Sequence, residues 1–176
     1  MRLRAFAIVV GLSAALTVVA LGSIAASSSV EAKRAPSCAG KSKNAASAAI
    51  EQAYETVLRA AGPERTLDER FALVEGSDEP EMRAVLDATA AENADALPRT
   101  GVEVLKVTCT GRKSADVLFE LVVDGKPAPG LAPLGRAVVQ DRVWKMTQRP
   151  ACNLVSLADP TVLEHGPCAD VLDQPA

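Results

Sequence analysis

The sequence predicts an α+β domain in which N-terminal helices pack on a curved, cone-like antiparallel sheet stapled by disulfides. Three observations lead there. Apolar residues recur at three-and-four spacing as far as Leu97, the period falls to two from Gly101 onward, and four cysteines follow the N-terminal apolar run. Helices first and a meandering sheet afterwards is the order of helices covering one face of an antiparallel sheet. No internal repeat breaks that order.

The first helix is expected from about Asn44 to Ala61, with Ala46, Ala49, Ile50, Ala53, Tyr54, Val57 and Leu58 on one face and Gly62-Pro63 stopping it. A short second helix opens at Thr66, where Thr66 and Glu69 have the spacing of a capping box, and it turns Leu67, Phe71 and Val74 inward. A third starts at Asp78-Glu79-Pro80-Glu81, presents Met82, Val85, Leu86, Thr89, Asn93 and Leu97, and ends at Pro98. Val102 to Thr110 and Ala115 to Val123 then alternate as two strands around a turn at Gly111-Arg112-Lys113-Ser114. The loop Asp124 to Gly135 leads to a second hairpin, Arg136 to Gln140 and Val143 to Gln148, turning at Asp141-Arg142. One last short helix is expected near Ala151 to Ala158.

Met1 to Ala32 has the parts of an export signal: Arg2 and Arg4, an uncharged run from Ala5 to Ala26, and small residues at Val30-Glu31-Ala32 for cleavage. The rival reading is an uncleaved N-terminal anchor, since the run is long enough at ~1.5 Å per residue to span a bilayer. On either reading the segment contacts the membrane during export and the rest of the chain is secreted or extracytoplasmic. Residues 33–43 read as a basic linker and residues 44–176 as a single domain. Without the signal, 17 basic and 21 acidic residues remain, a net charge of −4 that argues against nucleic acid as a partner. An even cysteine count in an exported chain implies two bridges. Cys152 and Cys168, close in sequence, are expected to pair, leaving Cys38 for Cys109.

Leu73-Val74-Glu75-Gly76, Gly125-Lys126-Pro127, and Val143-Trp144-Lys145-Met146 leading to Cys152 resemble the exported low-molecular-weight antigen family of mycobacteria and other actinobacteria, over roughly Ile50 to Cys168. The resemblance implies a fold similar to nuclear transport factor 2 and ketosteroid isomerase. The chain departs from the family pattern at Asp141-Arg142, where Asp-Gly is more usual, and at Cys38 and Cys109.

Little in the sequence points to a reaction. Gly40-Lys41-Ser42 lacks both the earlier glycine and the leading strand of a phosphate-binding loop. His165 is the single histidine, no GxSxG or CxxC motif occurs, and neither a cofactor nor a metal is expected. An enzyme of the isomerase type would need a carboxylate and a hydroxyl donor converging in the cone. Tyr54, Glu75 and Trp144 are the candidates for lining such a pocket, with Glu103 a further carboxylate, but no spacing fixes an acid and base pair among them.

The chain is therefore expected to be a non-catalytic envelope or secreted domain acting in protein interaction or self-association. Its partner would be an envelope protein or a second copy, met through the sheet face carrying Leu118 and Val122 or through the Pro-rich loop with Pro127, Pro129 and Pro133. The alternatives are a carrier of a small apolar ligand in the cone and an isomerase- or hydrolase-like enzyme. With aromatics at 3%, the core is expected to have little room for a large pocket.

Overall fold

Alanine-rich sequence with apolar residues every third or fourth position carries Lys43–Leu58 into the first helix, α1, which buries Ala46, Ile50, Ala53, Tyr54 and Val57. The computed structural model describes residues 34–58, 65–128, 134–164 and 166–173. It divides the chain into Met1–Glu31 and Ala32–Ala176. The signal or anchor expected at residues 1–32, the end of the first helix, His165 and residues 129–133 of the Pro-rich loop lie outside the described residues.

The short helix α2 (Leu67–Phe71) begins with the expected capping box: the Glu69 amide donates to Thr66 Oγ1 at 3.2 Å and the Thr66 amide to Glu69 Oε2 at 2.8 Å. Helix α3 (Pro80–Glu92) has proline in its first turn, where no backbone donor is lost, and buries Met82, Leu86 and Ala90. It ends sooner than the sequence suggests. The Asn93 amide and Nδ2 both donate to the Thr89 carbonyl, at 3.1 and 2.9 Å, and Pro98 belongs to a separate 3-10 turn, Leu97–Arg99.

Among the described residues five strands form one curled antiparallel sheet: β1 (Thr100–Gly111), β2 (Ser114–Val123), β3 (Lys126–Pro127), β4 (Leu134–Gln140) and β5 (Val143–Met146). The order is β1-β2-β4-β5, with β3 also paired to β2. Register places Val104 opposite Phe119 and Val107 opposite Val117, with an irregularity between Val104 and Lys106. Ala115, Val117, Phe119 and Leu121 of β2 point into the core, as the alternation predicts. Val123 does not follow them; it is exposed. The loop after β2 is shorter than expected, because Asp124 and Gly125, both at positive φ, turn the chain straight back into β3. At the second hairpin Asp141 and Arg142 have φ of 51° and 66°, as a two-residue primed turn demands. Leu73–Glu75 runs beside β5: the Met146 amide donates to the Leu73 carbonyl and the Glu75 amide to the Met146 carbonyl, both at 2.8 Å.

Residues 34–43, expected as a linker, are instead tied to the sheet. The Ala35 amide donates to the Arg142 carbonyl at 2.8 Å and the Cys38 amide to the Arg112 carbonyl at 3.1 Å, so this strap joins the tips of both hairpins. Trp144 Nε1 donates to the Pro36 carbonyl at 3.0 Å, and Cys38 is bonded to Cys109 of β1. At the other end, helix α4 (Gln148–Ala158), a 3-10 turn (Pro160–Leu163) and a further helix α5 (Pro167–Asp173) follow the sheet. Cys152 of α4 is bonded to Cys168 of α5. No sequence pattern predicts α5; that helix of seven residues is held by its bridge and by Arg149 Nη2 donating to the Val171 carbonyl at 3.1 Å. Among the described residues no helix is long and apolar enough to cross a membrane.

Candidate functional site

The helices leave one end of the sheet incompletely filled. Val57 and Leu58 of α1, Phe71 of α2, Leu86 and Ala90 of α3, Leu121 of β2, and Ala151 and Val155 of α4 surround a cavity of about 390 Å³. That is within the size of small-ligand sites. Val123 and Leu157, both exposed, also line it, so the cavity reaches the surface. The scarcity of aromatics, expected to exclude such a pocket, accompanies one: alanines from facing helices meet where larger side chains would have closed the gap.

Four of the lining residues are polar: Arg70, Thr89, Asn93 and Thr100. Three of these donate to a carbonyl four residues upstream: Thr89 to Val85 at 2.8 Å, Asn93 to Thr89 at 2.9 Å and Thr100 to Ala96 at 3.0 Å. Arg70 differs. Its residue is only 3% exposed, its Nε donates to the Thr56 carbonyl at 3.3 Å and its Nη2 to the Val57 carbonyl at 2.7 Å, both in α1. Its Nη1 is buried without a partner, and no carboxylate pairs with the guanidinium among the described residues. Burial pulls its pKa below the ordinary arginine value.

None of the sequence candidates lines this cavity. Tyr54 lies across the middle of the sheet, its hydroxyl donating to the Arg136 carbonyl at 2.9 Å and its ring meeting Phe119 edge-on at 5.2 Å. Burial pushes its pKa well above the usual tyrosine value, the carbonyl bond working against this and the nearby Asp116 charge adding to it. Trp144 is buried under the N-terminal strap, Glu75 sits on the segment beside β5, and Glu103 faces Glu120 across the sheet. Among the described residues the cavity lining contains no carboxylate. Arg70 had a legible signal: it stands three residues after Leu67 and four before Val74, a cation within an apolar helical stripe.

Residues 45–162 match the C-terminal domain of low molecular weight antigen MTB12. The chain belongs to that antigen family. The match covers α1 through the turn after α4, and so contains every element that lines the cavity. No curated protein and no solved structure matched the chain. Membership of this family and the two disulfides are in keeping with an extracytoplasmic location.

Proposed function

We propose that this antigen-family domain is exported and non-catalytic, and that it carries a small apolar ligand in the cavity between its helices and the end of the sheet. The observation that supports this is the cavity itself, open at Val123 and Leu157 and walled by apolar side chains from four helices. A gap of this size in a core would ordinarily collapse or be filled. Here the helices around it are fixed from outside the cavity, by the capping box of α2 and the Cys152–Cys168 bridge. The resemblance to nuclear transport factor 2 and ketosteroid isomerase would make the gap the mouth of their cone.

The test is binding of a neutral fluorescent probe such as N-phenyl-1-naphthylamine to the purified chain, beside Ala90→Leu, which puts three carbons into the void. The wild type is expected to bind and brighten the probe. Ala90→Leu is expected to lose most of that binding while melting at or above the wild-type temperature, because the added side chain fills space already present. Undiminished probe binding by a folded Ala90→Leu protein would place the ligand elsewhere.

A second reading, self-association through the outer sheet face, draws on Leu134, which is 74% exposed directly opposite Leu118. Asp116, Glu120, Lys106 and Arg136 share that face. Light scattering on a column eluate tests it: a dimer lost on Leu134→Glu supports it, and a strict monomer removes it.

A further inference from the structure

The carrier reading leaves the ligand's polar end undetermined, and Arg70 bears on it. We propose that the cavity takes an amphiphile with an aliphatic body and an anionic head, a carboxylate of the fatty-acid class, and that the head is received by the Arg70 guanidinium. The inference rests on the carrier reading and deepens it.

A buried guanidinium without a counter-charge is costly, and its neighbours answer only part of its demand. The Thr56 and Val57 carbonyls of α1 satisfy Nε and Nη2. Among the described residues the third nitrogen, Nη1, has no acceptor. The bonds to α1 therefore explain two nitrogens of this side chain and not the third. The other polar groups of the lining, Thr89, Asn93 and Thr100, already donate to backbone carbonyls, and none carries a charge. The wall thus offers one fixed cation amid aliphatic surface, which matches an apolar chain ending in one anion. Nη1 exposes almost no surface, so the carboxylate reaches it as the guanidinium edge turns toward the cavity, with the two carbonyl bonds as the pivot. A cationic or purely polar ligand gains nothing from this arrangement, and a neutral hydrocarbon leaves the charge unanswered.

The experiment compares dodecanoate, dodecanol and dodecyltrimethylammonium as displacers of the neutral probe from the purified chain at neutral pH. Their bodies are alike and their heads differ. Dodecanoate is expected to bind roughly ten- to a hundredfold more tightly than dodecanol, the range for a hydrogen bond to a charged partner, and the cation to bind no better than the alcohol. Arg70→Met is expected to bring acid and alcohol to equal affinity. Should Arg70→Met fail to fold for want of its bonds to α1, Arg70→Lys keeps the charge and is expected to keep part of the preference for the acid. The Arg70 Nε–H resonance is expected to shift with dodecanoate and to stay in place with dodecanol. Equal binding of dodecanoate and dodecanol by the wild type overturns the head-group assignment and leaves the carrier reading standing. An acid preference that survives in folded Arg70→Met overturns it as well. Failure of every displacer and of the probe itself removes the carrier reading.

Discussion

Replacing Gly135 by alanine tests how the middle of the core is assembled. An added Cβ would press on the Tyr54 hydroxyl and lie 2.9 Å from both Tyr54 Cε1 and Phe119 Cε1. Those rings hold each other edge-on, and the Tyr54 hydroxyl is bonded to the carbonyl of the next residue, Arg136, so neither can simply swing away. Overpacking of this kind costs about 1–3 kcal/mol, while alanine's advantage over glycine in a strand returns up to ~1 kcal/mol. Gly135→Ala is therefore expected to be destabilised by roughly 1–2 kcal/mol. Tyr54→Phe, which forfeits the bond to Arg136, is expected to lose about 1–2 kcal/mol. In the double variant the hydroxyl that meets the new methyl is gone, so its loss should fall short of the sum by ~0.5–1 kcal/mol. Urea unfolding with the disulfides intact, followed by the fluorescence of Trp144, reads all three values, provided the slope is unchanged. A Gly135→Ala protein as stable as the wild type, or strict additivity in the double variant, would refute this account of the packing.

Arg142→Gly should stabilise the domain by roughly 0.5–1 kcal/mol, since the second turn residue has φ of 66° and its only backbone duty seen in the strap, accepting from Ala35, needs no side chain; a lower urea midpoint would contradict this. Tyr54, the only tyrosine, has a folded pKa above its ordinary value of 10.0, so the unfolded chain binds fewer protons above that pH and stability falls as pH rises past 10.0, with no contribution below. Tyrosinate absorbance should then appear only with unfolding, and Tyr54→Phe should flatten the alkaline limb. Trp144→Phe removes the bond to the Pro36 carbonyl, and hydrogen exchange at the Ala35 and Cys38 amides should quicken while that of the β2 core amides does not. Loss of the Cys38–Cys109 bridge, whose partners are 71 residues apart, should cost about 4 kcal/mol in the chain-entropy picture, measured by the urea midpoint of the double serine variant.

What could be read from the sequence was whatever is encoded locally. The capping box at Thr66 and Glu69, the switch from helical to alternating period at Gly101 and the inward set of β2 from Ala115 to Leu121 each depend on residues a few positions apart, and each is realised, Val123 alone of the inward set being exposed. Apart from the Cys38–Cys109 pairing, which follows from the cysteine count and the nearness of Cys152 to Cys168, features set by distant partners are out of reach. The strap at residues 34–38 looked like a linker because its small and basic residues carry no pattern; what fixes it are carbonyls at Arg112 and Arg142 and a bridge to Cys109. Helix α5 is too short to announce itself and depends on Cys152 and Arg149. Strand β3 is two residues whose pairing follows from the positive φ at Asp124 and Gly125. For the site, chemical type points to Tyr54, Glu75 and Trp144, whereas the cavity is bounded by residues that individually look like ordinary core.

The shortage of aromatic side chains is what ties the fold to the cavity. After the N-terminal apolar run the chain has only Tyr54, Phe71, Phe119 and Trp144. Tyr54 and Phe119 are spent on each other at the middle of the sheet, and Trp144 is spent on the strap. Phe71 alone is left for the end where α1, α2, α3 and α4 converge, and there Ala90, Ala96, Ala151 and Ala158 stand along the wall. The same economy that suggests a small, tightly filled core thus fills one end of it and leaves the other open. Arg70 is placed at that open end and tied to α1, so the domain keeps a charge where it keeps its empty volume. The bonds to α1 account for two nitrogens of that cation and the shortage of large residues for the gap; the proposed site for an acidic amphiphile would join the third nitrogen to the gap in one explanation.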